Sequence, residues 1–216
     1  MTSNTFSLLL ASTLISVGIG HASVIVDTTP SLDFSFNDST PGDQVTILNG
    51  PIANGFQTTE IVSSLNNSTF EFANKTNVTV NDIGGGDTIT VNISNPAVGL
   101  TGLIVNGGNG ADAFTVTPSA TIPFTINGEG NPQSAPGNVL LVILAGTTGA
   151  ILTDAATGTG FQGAWTFTDN QPVSFTGIET LIPSPAVPEP GVLPLVAVGL
   201  AGLFIARIRL SRVNAH

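Results

Sequence analysis

Two aspartates set in glycine-rich turns are the side chains best arranged to do chemistry: Asp87 follows Gly84, Gly85 and Gly86, and Asp112 follows Gly107, Gly108, Asn109, Gly110 and Ala111. A carboxylate in a tight turn, beside backbone carbonyls that glycine leaves uncovered, suits a hard cation such as calcium. Two carboxylates at the right separation can instead hydrolyse a glycosidic bond as acid and base. If the two turns stack, Asp87 and Asp112 come to roughly 5 Å and repel. A calcium ion would relieve that repulsion, as would Asx-turn hydrogen bonds to the local backbone, and the turn is the preferred reading.

Other chemistries lack their parts. The chain has no Cys and no Tyr, and its two histidines, His21 and His216, fall in terminal segments expected to be removed or to lie near a membrane. The arginines are Arg207, Arg209 and Arg212, which leaves Lys75 as the sole cation of the long central stretch. Nucleophilic Ser-His-Asp catalysis, histidine zinc sites and arginine clamps on phosphate are therefore excluded there. A formal charge of -10 also argues against nucleic acid as a partner. No pair stands out among Asp33, Asp38, Asp43, Glu60, Glu71, Asp82, Asp87, Asp112 and Glu129, so no enzymatic activity and no catalytic residue is expected.

The turns belong to a repeat. Residues 79–91 align without gaps on 104–116, 25 positions later, with identity at Val80/Val105, Asn81/Asn106, Gly85/Gly110, Asp87/Asp112, Thr90/Thr115 and Val91/Val116. A degenerate third copy begins at Phe124, Thr125, Ile126, Asn127 and Gly128. Each copy reads as a short strand, a glycine turn and an alternating strand, at a spacing within the solenoid range. The expected fold is all-β, a right-handed parallel β-helix with equivalent residues stacked at roughly 4.8 Å. A β-sandwich is the alternative, because strand spacing does not separate the two. In the stacked register Asn81, Asn106 and Asn127 form a ladder of amides, as in cross-β arrays.

The flanks extend the same pattern. Residues 45–48, 70–72 and 78–80 alternate as half-buried strands, Asn49-Gly50 and Asn54-Gly55 mark turns, and 131–138 is a loop ahead of a buried strand at 139–145. Residues 165–167 and 173–175 read as a hairpin that closes the core.

Around Asp112 the chain is similar to an RTX calcium-binding repeat: Gly107, Gly108, Gly110, Asp112 and Phe114 fit its Gly-Gly-x-Gly-x-Asp-x-apolar-x pattern. Only this copy is full, and the 25-residue spacing does not build the RTX roll, in which successive nonapeptides face each other.

The ends speak of export. Residues 6–20 form an apolar stretch of signal-peptide length, and Gly20-His21-Ala22 is a small-x-small cleavage site before Ser23. At the other end, Val187-Pro188-Glu189-Pro190 leads into an uncharged apolar run at 191–206, closed by Arg207, Arg209 and Arg212. Prolines hold the approach extended, the run approaches the roughly 20 residues of a spanning helix, and the arginines place their flank in the cytoplasm. Taken together, residues 187–213 resemble the PEP-CTERM sorting signal of exported bacterial proteins. That resemblance implies recognition by an exosortase, cleavage near Pro188-Glu189-Pro190, and a link with exopolysaccharide.

The expected organisation is a signal peptide at 1–22, a β-solenoid domain at 23–183 and a sorting signal at 184–216. The expected role is that of an exported cell-surface or matrix protein with a structural or adhesive function. A polysaccharide- or calcium-binding module is the alternative, followed by a carboxylate-only glycosidase.

Overall fold

The computed structural model describes residues 23–183 except 39–40, 66, 83, 130–136 and 159. The signal-peptide and sorting-signal segments, with Val187, Pro188, Glu189, Pro190 and the three arginines, lie outside the described residues.

The described chain is all-β and contains no helix. Its strands are β1 (Ser23–Asp27), β2 (Ser31–Asp38), β3 (Gln44–Ala53), β4 (Phe56–Ser63), β5 (Ser68–Phe72), β6 (Lys75–Asp82), β7 (Thr88–Asn92) and β8 (Gly102–Asn106). They continue with β9 (Ala113–Thr117), β10 (Phe124–Asn127), β11 (Val139–Val142), β12 (Ile151–Thr157), β13 (Gly160–Thr166), β14 (Val173–Ile178) and β15 (Thr180–Pro183).

These strands make two mixed sheets. One has 8 strands in the order β1-β5-β4-β3-β7-β9-β11-β15, the other 7 in the order β12-β13-β14-β10-β8-β6-β2. Within them β2, β6, β8, β10 and β14 pair in parallel, and so do β3, β7, β9, β11 and β15. Each layer thus adds one strand to each sheet, and the link between the two strands of a layer makes a corner.

Period-two alternation explains the packing. In β7, Ile89 and Val91 point inward between exposed or half-exposed neighbours, and Phe114 and Val116 do the same in β9. Parallel register then stacks like on like: Ile89 on Phe114 on Leu140, and Val91 on Val116 on Val142. Opposite them Val80, Val105, Ile126 and Phe175 form a column in the other sheet. All of these side chains are at most 1% exposed, and they belong to one continuous apolar core. Interiors of this kind are close-packed, so their layers hold the corners at a fixed spacing.

Two antiparallel excursions decorate the stack. After β3 the chain doubles back through β4 and β5, with β1 added in parallel on the outside of β5. Near the other end β13 pairs antiparallel with β14, and β12 with β13, so this hairpin covers the outer edge of the last layer in that sheet. Trp165 of β13 lies opposite Val173 and is buried there.

One sequence expectation needs correction. Asn49-Gly50 is not a turn but lies inside β3, where the register with β4 shifts between Asn49 and Ile52. The Thr58 hydroxyl donates to the Pro51 carbonyl across this irregularity (2.6 Å), and a Cβ on Gly50 would collide with that hydroxyl. The real turn is Asn54-Gly55, whose φ values of 51° and 84° are those of a two-residue hairpin loop with both residues left-handed.

Candidate functional site

The corners between the two sheets carry two columns of polar side chains. At the ends of β2, β6, β8 and β10 stand Asn37, Asn81, Asn106 and Asn127. The amide nitrogen of Asn81 donates to Asn37 (2.7 Å), that of Asn106 to Asn81 (2.6 Å), and that of Asn127 to Asn106 (2.7 Å). The Thr176 hydroxyl closes the column by donating to Asn127 (2.9 Å). Each internal amide gives one bond downward and accepts one from above, so a missing member breaks two. Asn106→Ala is expected to lower stability by about 1–2 kcal/mol, a few degrees in melting temperature, measured by thermal unfolding. A change within error would show that solvent replaces these bonds at no cost.

The second column begins the strands of the other sheet and faces inward. Asp87 Oδ1 accepts the backbone N–H of Asp43 (2.8 Å), and Asp112 Oδ1 accepts that of Asp87 (3.0 Å). Asn138 Oδ1 accepts the N–H of Asp112 (2.9 Å), and Glu179 Oε2 that of Asn138 (2.6 Å). The bonds of Asp87 and Asp112 therefore run between layers instead of closing local Asx turns. Asp43 ends the column with its own shell: the Ser63 hydroxyl, the Ser64 hydroxyl (2.8 Å) and the Leu65 N–H (2.8 Å) all donate to it. Burial pushes its carboxyl up, but these donors outweigh burial and hold it below its ordinary value.

Beside this column lies a residue with no such support. Asp82, at the end of β6, is 1% exposed, and neither of its carboxylate oxygens has a hydrogen-bond partner. The second oxygens of Asp87 and Asp112 are likewise unpartnered and buried. Burial first, then the charges of Asp87, Asp38 and Asp112, push the Asp82 carboxyl up to about 8. Asp112 is raised to about 6, by burial and the Asp87 charge against the pull of the Asp87 N–H.

An open cleft of about 240 Å³ leads to this corner. Asn37, Asn81, Asn106, Asn109, Gly108 and Glu129 line it together with Asp82. Such amide-rich walls donate and accept hydrogen bonds without adding charge. Among the described residues no three acidic or histidine side chains are gathered into a ready-made metal cage.

Away from this corner, Lys75 has structural partners and Glu71 has a like-charged neighbour. Lys75 is 2% exposed; it pairs with Asp27 at 3.1 Å and donates to the Thr29 carbonyl, tying the link after β1 to the stack. Glu71 faces Glu60 directly across β4 and β5, and burial together with the Glu60 charge raises its carboxyl above the ordinary value.

The structure thus brings Asn81, Asn106 and Asn127 into one column and Asp87 and Asp112 into another. Sequence reasoning missed the column roles of Asn37, Thr176, Asp43 and Asn138 and the inward face of Asp82, and for Glu179 it left open a cap on the last coil or a place in solvent. A signal for the first layer existed: Phe36-Asn37, then Asp43, then Val45-Thr46-Ile47, matches Val80-Asn81, Asp87 and Ile89-Thr90-Val91 position for position. Compared with protein-family models, curated proteins and solved structures, the chain matches none of them.

Proposed function

We propose that this chain is an exported, non-enzymatic surface or matrix protein. In this reading its central domain is a right-handed parallel β-solenoid with a structural or adhesive role, delivered by a PEP-CTERM-type tail that an exosortase reads. The observation that carries the cargo reading is the pair of uninterrupted side-chain columns, one through Asn37, Asn81, Asn106, Asn127 and Thr176, the other through Asp43, Asp87, Asp112, Asn138 and Glu179. Polar groups that stack one layer on the next build a stiff scaffold. The parallel ladders within the stack favour a solenoid over a β-sandwich, whose sheets are antiparallel.

The delivery half rests on the order of elements in the tail: Val187, Pro188, Glu189 and Pro190, then the apolar run, then Arg207, Arg209 and Arg212. Mass spectrometry of the protein recovered from its host tests it. A mature form beginning at Ser23 and ending near Pro188-Glu189-Pro190 is expected in the surface fraction. Replacing the three arginines with glutamine is expected to abolish that delivery and leave an unprocessed chain in the membrane. Intact termini in the cytosol, or undiminished delivery of the triple variant, would defeat the proposal.

A second reading has one specific observation in its favour. The amide-lined cleft at Asn37, Asn81 and Asn106 presents the hydrogen-bonding character of a sugar-binding surface, and exopolysaccharide is the partner it would take.

A further inference from the structure

We propose that the corner formed by Asp82 and Asp87 is a cation site that takes up calcium from solvent through the asparagine-lined cleft. The unpartnered oxygens carry the argument. Asp82 leaves both carboxylate oxygens without a hydrogen bond while only 1% exposed, and Asp87 leaves its Oδ2 without one. A buried carboxylate that nothing compensates is among the costliest groups a fold can hold. Nearby polar groups are mostly used: the Asp87 and Asp112 Oδ1 atoms each accept a backbone N–H and the internal amides of the asparagine column bond one another, so among the described residues the orphaned oxygens are confined to Asp82, Asp87 Oδ2 and Asp112 Oδ2.

Positive charge from the protein is not at hand. Lys75, the sole Lys or Arg of residues 23–183, is committed to Asp27 and the Thr29 carbonyl. The charges that act on Asp82 are those of Asp38, Asp87 and Asp112, all acidic, and Glu129 lines the same cleft. The ligand chemistry is all oxygen, which excludes soft metals and selects a hard divalent ion. Calcium fits better than magnesium, since it accepts six to eight oxygens in irregular geometry and draws on carboxylates, carbonyls and water together. Two protein carboxylates with solvent water suffice for such a site, and three acidic side chains in a cage are not required. The cleft of about 240 Å³ has room for the ion with several waters at roughly 30 Å³ each. The site does not depend on how the chain is delivered.

The test uses the full chain in detergent, stripped with a chelator, and calcium chloride as the sole added ligand. Thermal unfolding is followed against sodium chloride at matched ionic strength. The expected result is a saturable rise in midpoint, roughly 5–10 °C when calcium is 100-fold above its dissociation constant, with sodium ineffective. Calorimetry on the same material should give one ion per chain. Asp82→Asn, nearly isosteric and one charge poorer, should melt no lower than the unaltered chain in chelator and lose the calcium response. The proposal is overturned if the unaltered chain ignores calcium, if sodium matches its effect, or if Asp82→Asn keeps the full response.

Discussion

A chain carrying Gly110→Ala is expected to lose at least about 3 kcal/mol of stability, enough to drop the melting temperature by roughly 10 °C or to prevent folding altogether. Gly110 sits at φ 134°, a conformation that side chains rarely adopt, and a Cβ there would fall onto the carbonyl oxygen of Gly85 in the layer beneath. The two corners are already in contact: the Gly85 N–H donates to the Asn109 carbonyl at 2.7 Å, and Gly84 bridges Asn109 in parallel. Backbone cannot retreat from backbone without separating the columns on either side, so the strain spreads to the Asp87–Asp112 bond. Gly42→Ala provides the control. Its φ of 75° is also left-handed, yet nothing lies within 4 Å of the added carbon, so only the conformational cost of about 1–2 kcal/mol remains. Thermal unfolding of both variants checks the contrast, and an equal loss in the two would mean that the close approach of layers carries no weight.

The second large effect is one of pH. In chelator, the domain should become less stable as pH rises from 5 to 9. Asp82 and Asp112 have folded-state values raised to about 8 and about 6 from an ordinary 3.8, so the folded protein holds protons that the unfolded chain releases. Their contribution is fully present below the unfolded value and is lost as pH climbs through the folded ones. Asp27 and Asp43 act in the opposite sense, since both are lowered and lose their contribution only when pH falls below the ordinary carboxylate range. Stability should therefore peak in mildly acidic solution and decline by an amount on the order of a few kcal/mol toward pH 9. Melting temperatures across that range test this, and Asp82→Asn should flatten most of the decline. A profile that rises toward alkaline pH would contradict the buried, unsupported state of Asp82.

How much of this was legible in the sequence depends on what repeats. Asn81 and Asn106 stand out because the column requires an amide that both donates and accepts, and their layers are joined by an interval of 25 residues with no insertion. Asn37 performs the same task yet lies 44 residues before Asn81, since the β4 and β5 excursion is threaded between them. Fixed-period comparison passes over it for that reason. Asn138 escapes on other grounds, and Glu179 is left undecided between a cap and solvent for the same reason: their column asks only for an oxygen that accepts one backbone N–H, and Asp, Asn and Glu all supply it. Asp82 was hidden by a rule that usually holds. Alternation along β6 turns it inward with Val78 and Val80, opposite to Asn81, but an aspartate is not placed in a core on pattern alone. The terminal hairpin was readable from its alternating residues, whereas β12, largely solvent-facing, has little apolar pattern to read.

The unequal intervals between rungs have a bearing on how such a molecule changes over generations. Neighbouring members of the asparagine column are separated by 44, 25 and 21 residues, yet the contacts between them are alike. Lengthening is therefore possible in two independent currencies: duplication of one layer adds height, while a hairpin spliced between layers adds breadth and leaves the spine untouched. Descendants of one ancestor can then differ widely in girth and reach while sharing only a sparse set of spine residues, too few and too irregularly spaced to betray common descent by comparison of letters.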